Sequence, residues 1–295
     1  MSNFWQRALT GTLFLVVMIG CITWCYWSLA ILFFVIAILG LHEFYKLLNQ
    51  AGIEPQKWIG LGVGALIFLT TVASSFLTPG IVFVVVPFAV CIFFAELYRN
   101  KTNPFQNIAF TFLGIIYVVF PFAAWAAFVS PGNGWHYFIS MRQYDLMGTR
   151  VYNPHIILGF FIMLWTNDTG AYVTGMSMGR HKLWERISPK KTWEGFIGGI
   201  ILTCLAAYLL SRYFKELGIV PWVIMALIIS IFGTLGDLVE SMFKRSLNVK
   251  ESGGLLPGHG GILDRFDGVL LTTPLIVSAF AVFHFVMAFF AMLTE

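Results

Sequence analysis

Long apolar runs separated by short polar breaks fill nearly all of the 295 residues. A helix that crosses a bilayer needs about 20 mostly apolar residues. Nine runs meet or approach that length: 8–22, 27–47, 57–77, 80–98, 107–129, 155–175, 194–212, 219–240 and 266–291. The pattern predicts an all-α, polytopic integral membrane protein with about nine transmembrane helices. The first run is short, and its break from the second is the weakest. Arg7 followed by an apolar run has the look of a signal peptide, but no small-x-small cleavage site follows. Trp24, Tyr26 and Trp27 stand in its place, so the run reads as an uncleaved first helix. Pro87 and Pro121 fall within runs and are expected to kink their helices.

Composition agrees with the pattern. Hydrophobic residues make up 58% of the chain and charged ones 11%, whereas soluble domains carry about 25% charged residues. Of the 18 Lys and Arg, 14 fall on one side once the runs alternate across a membrane. Basic residues favour the cytoplasmic side, so the N-terminus is expected in the cytosol. The net charge of +4 is modest and no basic run is long, which argues against nucleic-acid binding. Cys21, Cys25, Cys91 and Cys204 all lie in apolar runs and read as small buried hydrophobes. Gly60, Gly62 and Gly64 lack dinucleotide-binding spacing and suit close helix packing. His42-Glu43 is not a zinc-protease motif, because Lys46 occupies the second histidine's place. The outer segment 130–154, with Trp135, Tyr137, Tyr144 and Tyr152, suits an interfacial belt.

One polar island stands out, from Ser241 to Asp267. It holds four cations, three carboxylates, one histidine and five glycines. Asp237 closes the apolar run before it and Asp264 opens the run after it. A carboxylate at membrane depth is costly and usually has a partner or a task. Two such acids could converge on a divalent cation such as Mg²⁺, which takes oxygen ligands and substrate phosphates. Lys244, Arg245, Lys250 and Arg265 offer phosphate-facing donors, and Gly253, Gly254, Gly258, Gly260 and Gly261 allow backbone N–H groups close to an anion. A second acid, Asp168, follows Asn167 inside an apolar run. Lys190 and Lys191 follow Ser188-Pro189 just before another run, near a helix N-terminus that favours phosphate. The bland alternatives are a solvated loop, a hydrogen-bonded Asp and a pair of topology anchors.

These residues resemble the phosphatidate cytidylyltransferase (CDP-diacylglycerol synthase) family. The likeness rests on Ser241, Lys244-Arg245, Lys250-Glu251, Pro257-Gly258-His259-Gly260-Gly261 and Asp264-Arg265-Phe266-Asp267. Glu251 stands where the family pattern has Asp. Asn167-Asp168 and Ser188 to Gly195 look like upstream blocks of the same family, and the clear likeness covers about residues 155–275. The resemblance implies a Mg²⁺-dependent reaction of CTP with phosphatidate to give CDP-diacylglycerol and pyrophosphate; it leaves a second, monovalent ion open. It implies that Asp237, Asp264 and Asp168 face the metal and that Lys244, Arg245 and Arg265 hold phosphates. Asn167, Ser188, Lys190, Lys191, Ser241, Gly260 and Gly261 would complete the CTP side. His259 would donate a hydrogen bond, and Asp267 would orient Arg265 or ligate a second ion. Residues 1–130 would then carry N-terminal helices and 131–295 the catalytic region, within one membrane domain. A homodimer in the inner membrane of a bacterium, with its site facing the cytosol, completes the expectation. The rivals are another CTP-dependent lipid enzyme, of the polyprenol kinase or CDP-archaeol synthase type, and a transporter.

Overall fold

The computed structural model describes residues 3–132, 152–254 and 260–294. Helices follow the apolar runs. α1 (Asn3–Trp24) and α2 (Tyr26–Gln50) meet at Cys25. There the Ser28 N–H donates to Cys25 Sγ and the Cys25 N–H donates to Ser28 Oγ, a reciprocal cap that starts α2. α3 spans Lys57–Ser74; a 3-10 stretch, Pro79–Val84, runs into α4 (Val85–Arg99). α5 (Pro104–Gly114) and α6 (Phe120–Phe128) form one rod through a π-helical segment, Ile115–Val119. α7 spans His155–Met178 and α8 Trp193–Tyr213. α9 (Ile219–Ile228) and α10 (Thr234–Ser246) are joined by a second π-helical segment, Ile229–Gly233, and α11 spans Leu263–Thr294.

Among the described residues, eight rods are long and apolar enough to cross a membrane, and Ala8–Trp24 is a shorter apolar helix. Leu13, Val16, Phe83, Phe94, Leu97 and Ile201 stand exposed around the outside. Apolar surface on that scale needs a hydrocarbon solvent, and the protein is an integral membrane protein. Pro87 follows the 3-10 stretch at the start of α4, and Pro121 follows the π-helical segment inside the α5–α6 rod, where a proline and a π-bulge are both causes of a kink. The cysteines differ from expectation, since none is fully buried. Gly60 and Gly64 do serve close packing: a Cβ at Gly64 would sit 2.9 Å from Leu41 Cδ2, and one at Gly60 would meet the Tyr45 ring, so α3 lies directly on α2. Gly62 faces open space.

Contacts sort the connections into two sets, as alternating spans require. Lys101 Nζ lies 3.2 Å from Glu54, tying the α4–α5 turn to the α2–α3 turn. At the other end the Tyr152 hydroxyl donates to Ile22 O at 2.8 Å, and His155 Nδ1 lies 2.5 Å from Glu216 Oε1. Trp135, Tyr137 and Tyr144, expected in an interfacial belt, lie outside the described residues. α7 packs along α8, α8 on α9, and α11 against both α6 and α10. The core between them is aromatic: Phe33, Phe122 and Phe266 meet edge to face at 5.4–5.5 Å.

Two details place the polar residues. Segment 179–192 folds as an antiparallel hairpin, β1 (Lys182–Trp184) and β2 (Ser188–Thr192), with Lys182 opposite Thr192. The polar island is helical at both ends. α10 continues through Ser246, and α11 already contains Asp264 and Asp267.

Candidate active site

α10 carries Asp237, Glu240, Ser241 and Lys244 at helical spacings of three, four and seven, so they share one face. The first two turns of α11 carry Asp264 and Asp267, and this helix packs against α10. Oxygens of Asp237, Glu240 and Asp267 thereby come within 4.8 Å of one another. Lys244 Nζ bridges the helices, 2.5 Å from Glu240 Oε2 and 2.5 Å from Asp264 Oδ1. Lys191, from β2, reaches Asp237 Oδ2 at 2.5 Å and the Thr234 carbonyl at 3.4 Å. Ser241 Oγ donates to Asp237 Oδ1 at 3.2 Å.

A cavity of about 870 Å³ opens beside this cluster. Its walls include Asn167, Asp168, Lys190, Lys191, Asp237, Asp264, Arg265 and Asp267, all singled out from the sequence. Thr10, Gly11, Phe14 and Leu15 of α1 and Trp165, Tyr172 and Met176 of α7 give it an apolar side. Polar groups converging on a pocket with an apolar wall suit an amphiphilic ligand. Ser188, Ser241, Lys244, Gly260 and Gly261 are not among the residues that line it. Arg245 is exposed and donates to the Val249 carbonyl at 3.4 Å. Lys250 and Glu251 are exposed too. His259 lies outside the described residues.

The donor set fits a hard divalent cation. Glu240 is 1% exposed, and its Oε1 has no hydrogen-bond partner among the described residues. Lys244 approaches its Oε2 as an ion pair without hydrogen-bond alignment. Three carboxylates held this close repel, and a cation or a shared proton relieves that repulsion. Mg²⁺ takes such oxygens and leaves positions for substrate phosphates. Of the three acids expected at the metal, Asp237 belongs to this tight group. Asp168 and Asp264 line the same cavity but are not part of it. Asp264 instead pairs with Lys244, and its Oδ2 accepts the Ser252 N–H at 3.0 Å and the Gly261 N–H at 2.9 Å. Gly260, next to it, has φ +79°, a conformation that suits glycine.

Two residues escaped the sequence reading. Glu240 sits at the end of an apolar run, and only continuing the helix past it reveals its place between Asp237 and Lys244. Glu43 of α2 is buried, and it takes the N–H groups of Ile262 and Leu263 at 3.0 and 3.2 Å and the hydroxyl of Ser252. A Cβ on Gly261 would collide with that carboxylate. No local signal could have paired residues 209 positions apart.

Fold and cavity together define a polytopic membrane protein with a cavity in which acids, bases and an apolar wall meet. Residues 5–283 match the model of the Cytidylyltransferase family, and the chain belongs to that family. It is 42% identical over 185 residues to a phosphatidate cytidylyltransferase of Staphylococcus haemolyticus (strain JCSC1435), covering 62% of each chain. A phosphatidate cytidylyltransferase of Staphylococcus aureus (strain COL) matches to the same extent. Another, from Bacillus subtilis (strain 168), is 34% identical over 291 residues, 96% of this chain and 100% of that one. The match thus spans less than two thirds of the staphylococcal relatives and the whole of the Bacillus one.

Proposed function

We propose that this protein transfers the cytidylyl group of CTP to phosphatidate, giving CDP-diacylglycerol and pyrophosphate. The observation that carries the reading is convergence. Asp168, Lys191, Asp237 and Asp264-Arg265, from four separate elements, line one cavity that also has an apolar wall. The names of the relatives support the same reaction.

In this reaction a phosphate oxygen of phosphatidate bonds to the α-phosphorus of CTP. The bond from that phosphorus to the bridging oxygen of the β-phosphate breaks, and pyrophosphate leaves. A phosphomonoester is already anionic near pH 7, so no strong base is required. The task is to bring two anions together and to offset charge on the leaving group. Lys190 and Lys191 supply point charges and Arg265 a fork for two phosphate oxygens. Asp237, Glu240 and Asp267 would hold Mg²⁺, with Asp168 and Asp264 on the adjoining wall. When bound, Mg²⁺ supplies Lewis-acid neutralisation of the phosphates. Lys244 clamps α10 to α11 and keeps the acids in register. The asymmetry of basic residues supports a cavity facing the cytosol, where CTP is available, and the bacterial relatives support a bacterial cytoplasmic membrane.

Purified protein in detergent, given labelled CTP, phosphatidate and Mg²⁺, should form labelled CDP-diacylglycerol. The product should vanish with EDTA and fall about 10²–10³-fold in Asp264→Ala. Folded protein that makes none sinks the reading. Turnover of a polyprenol or an isoprenoid ether phosphate instead would favour the rival lipid enzymes.

A further inference from the structure

Glu43 lies on α2, outside the cavity lining, yet its carboxylate is buried against the segment that delivers Asp264. Three donors converge on its two oxygens. The Ser252 hydroxyl and the Leu263 N–H reach Oε1, and the Ile262 N–H reaches Oε2. Ile262 and Leu263 are the entry to α11, so an anion there also meets the positive end of the helix. Ser252 is the hub of the arrangement. Its hydroxyl donates to Glu43 and accepts the Asp264 N–H at 3.4 Å, while its own N–H holds Asp264 Oδ2 at 3.0 Å. Asp264 Oδ1 then fixes Lys244, which in turn meets Glu240 of the carboxylate trio. A continuous chain of polar contacts thus runs from α2 to the candidate metal ligands.

We propose that Glu43 is a positioning residue for the cytidylyl transfer, acting through Ser252 to set Asp264 and Lys244; this rests on the reading given under Proposed function. A carboxylate suits the task because every group facing it is a donor. Glutamine would turn one of its oxygens into an NH₂ aimed at an N–H. The N-terminal half of the chain, which gives α1 to the apolar wall of the cavity, thereby reaches the polar side of the site as well. A one-ångström shift of Asp264 misplaces Lys244 and the trio with it, which degrades the chemical step more than the binding of CTP.

The test uses full-length protein in detergent and compares Glu43→Gln with Glu96→Gln, a second buried carboxylate held by Gln56, Arg99 and Asn107 well away from the cavity lining. Removing such an outer support is expected to lower kcat about 10–100-fold in Glu43→Gln. KM for CTP should stay within about threefold, as for loss of an interaction made mainly in the transition state. Ser252→Ala should lower kcat too, and the double variant should lose little more than the worse single one, because the two act in series. Glu96→Gln should lower the melting temperature and keep kcat. Wild-type kcat in folded Glu43→Gln, or an equal loss of kcat in Glu96→Gln, would overturn the proposal. Hydrogen exchange separates this from failure of the reaction itself. If the wild type makes no CDP-diacylglycerol, the reading of the reaction falls. Faster exchange at the Ile262 and Leu263 amides in Glu43→Gln would still uphold the clamp, and unchanged exchange there would overturn it.

Discussion

Two carboxylates, Glu96 on α4 and Glu240 on α10, are almost equally hidden, at 5% and 1% exposure. Their surroundings differ in kind. Glu96 Oε2 accepts from Gln56 Nε2 at 2.6 Å and Arg99 Nη1 at 2.7 Å, and Oε1 from Asn107 Nδ2 at 3.0 Å. Both Glu96 oxygens thus have donors, and the network ties α4 to α5 and to the entry of α3. Glu240 shares one lysine with Asp264, leaves Oε1 unpartnered among the described residues, and lies beside two further carboxylates. Burial of a charge is costly unless it is paired and hydrogen-bonded. The first arrangement meets that cost internally and is architecture. The second leaves that cost unmet by hydrogen bonds, which marks it as the candidate site.

The comparison breaks most sharply at the unsatisfied cluster. Asp237→Asn and Asp264→Ala should each lower CDP-diacylglycerol synthesis about 10²–10³-fold, the scale of losing one electrostatic element of a preorganised site. Detergent-purified protein of unchanged elution volume is the required control, and near-normal turnover in either would remove these acids from the chemistry. Next comes metal. At a Mg²⁺ concentration 100 times its Kd, linkage predicts stabilisation of about 2.7 kcal/mol. Thermal unfolding in Mg²⁺ against EDTA should show that shift in the wild type and a smaller one in Glu240→Gln. An equal shift in both would place the ion elsewhere.

The satisfied network should respond the other way round. Asn107→Ala strips Glu96 Oε1 of its donor and should cost about 1–3 kcal/mol of stability. Its kcat per folded molecule should match the wild type, and a loss of turnover would deny the division drawn here. The smallest effect concerns Glu216, in the turn between α8 and α9. Burial pushes its carboxyl up, but hydrogen bonds from His155 and Asn153 outweigh that and hold it below the ordinary glutamate range. A lowered pKa gives stability that is present above the unfolded value of about 4.3 and fades as pH falls through the folded one. The melting temperature of the wild type should therefore fall more steeply below that pH than that of Glu216→Gln. Parallel curves would show that the pair contributes nothing.

How much was legible beforehand varies by region. Apolar length located the spans, because hydrocarbon demands an unbroken run whatever the neighbours are. The break at Cys25, the weakest in the pattern, rests on a cysteine–serine cap that hydropathy does not register. Asp168, Lys190, Lys191, Asp237, Asp264, Arg265 and Asp267 were visible as charges in apolar company, and all line the cavity. Arg245, equally conspicuous, turns outward, because its position on α10 points away from the face shared by Asp237 and Lys244.

By itself, then, the sequence determined that this chain lies in a membrane, which charges are out of place there, and which family those charges resemble. Each of these follows from local composition against a known solvent. Tertiary structure alone decided which acids stand together. It grouped Asp237 with Glu240 and Asp267, sent Asp264 to Lys244, and brought Glu43 to the start of α11 from far along the chain. Grouping depends on how helices cross and which faces they turn to one another, and no spacing within one helix records that.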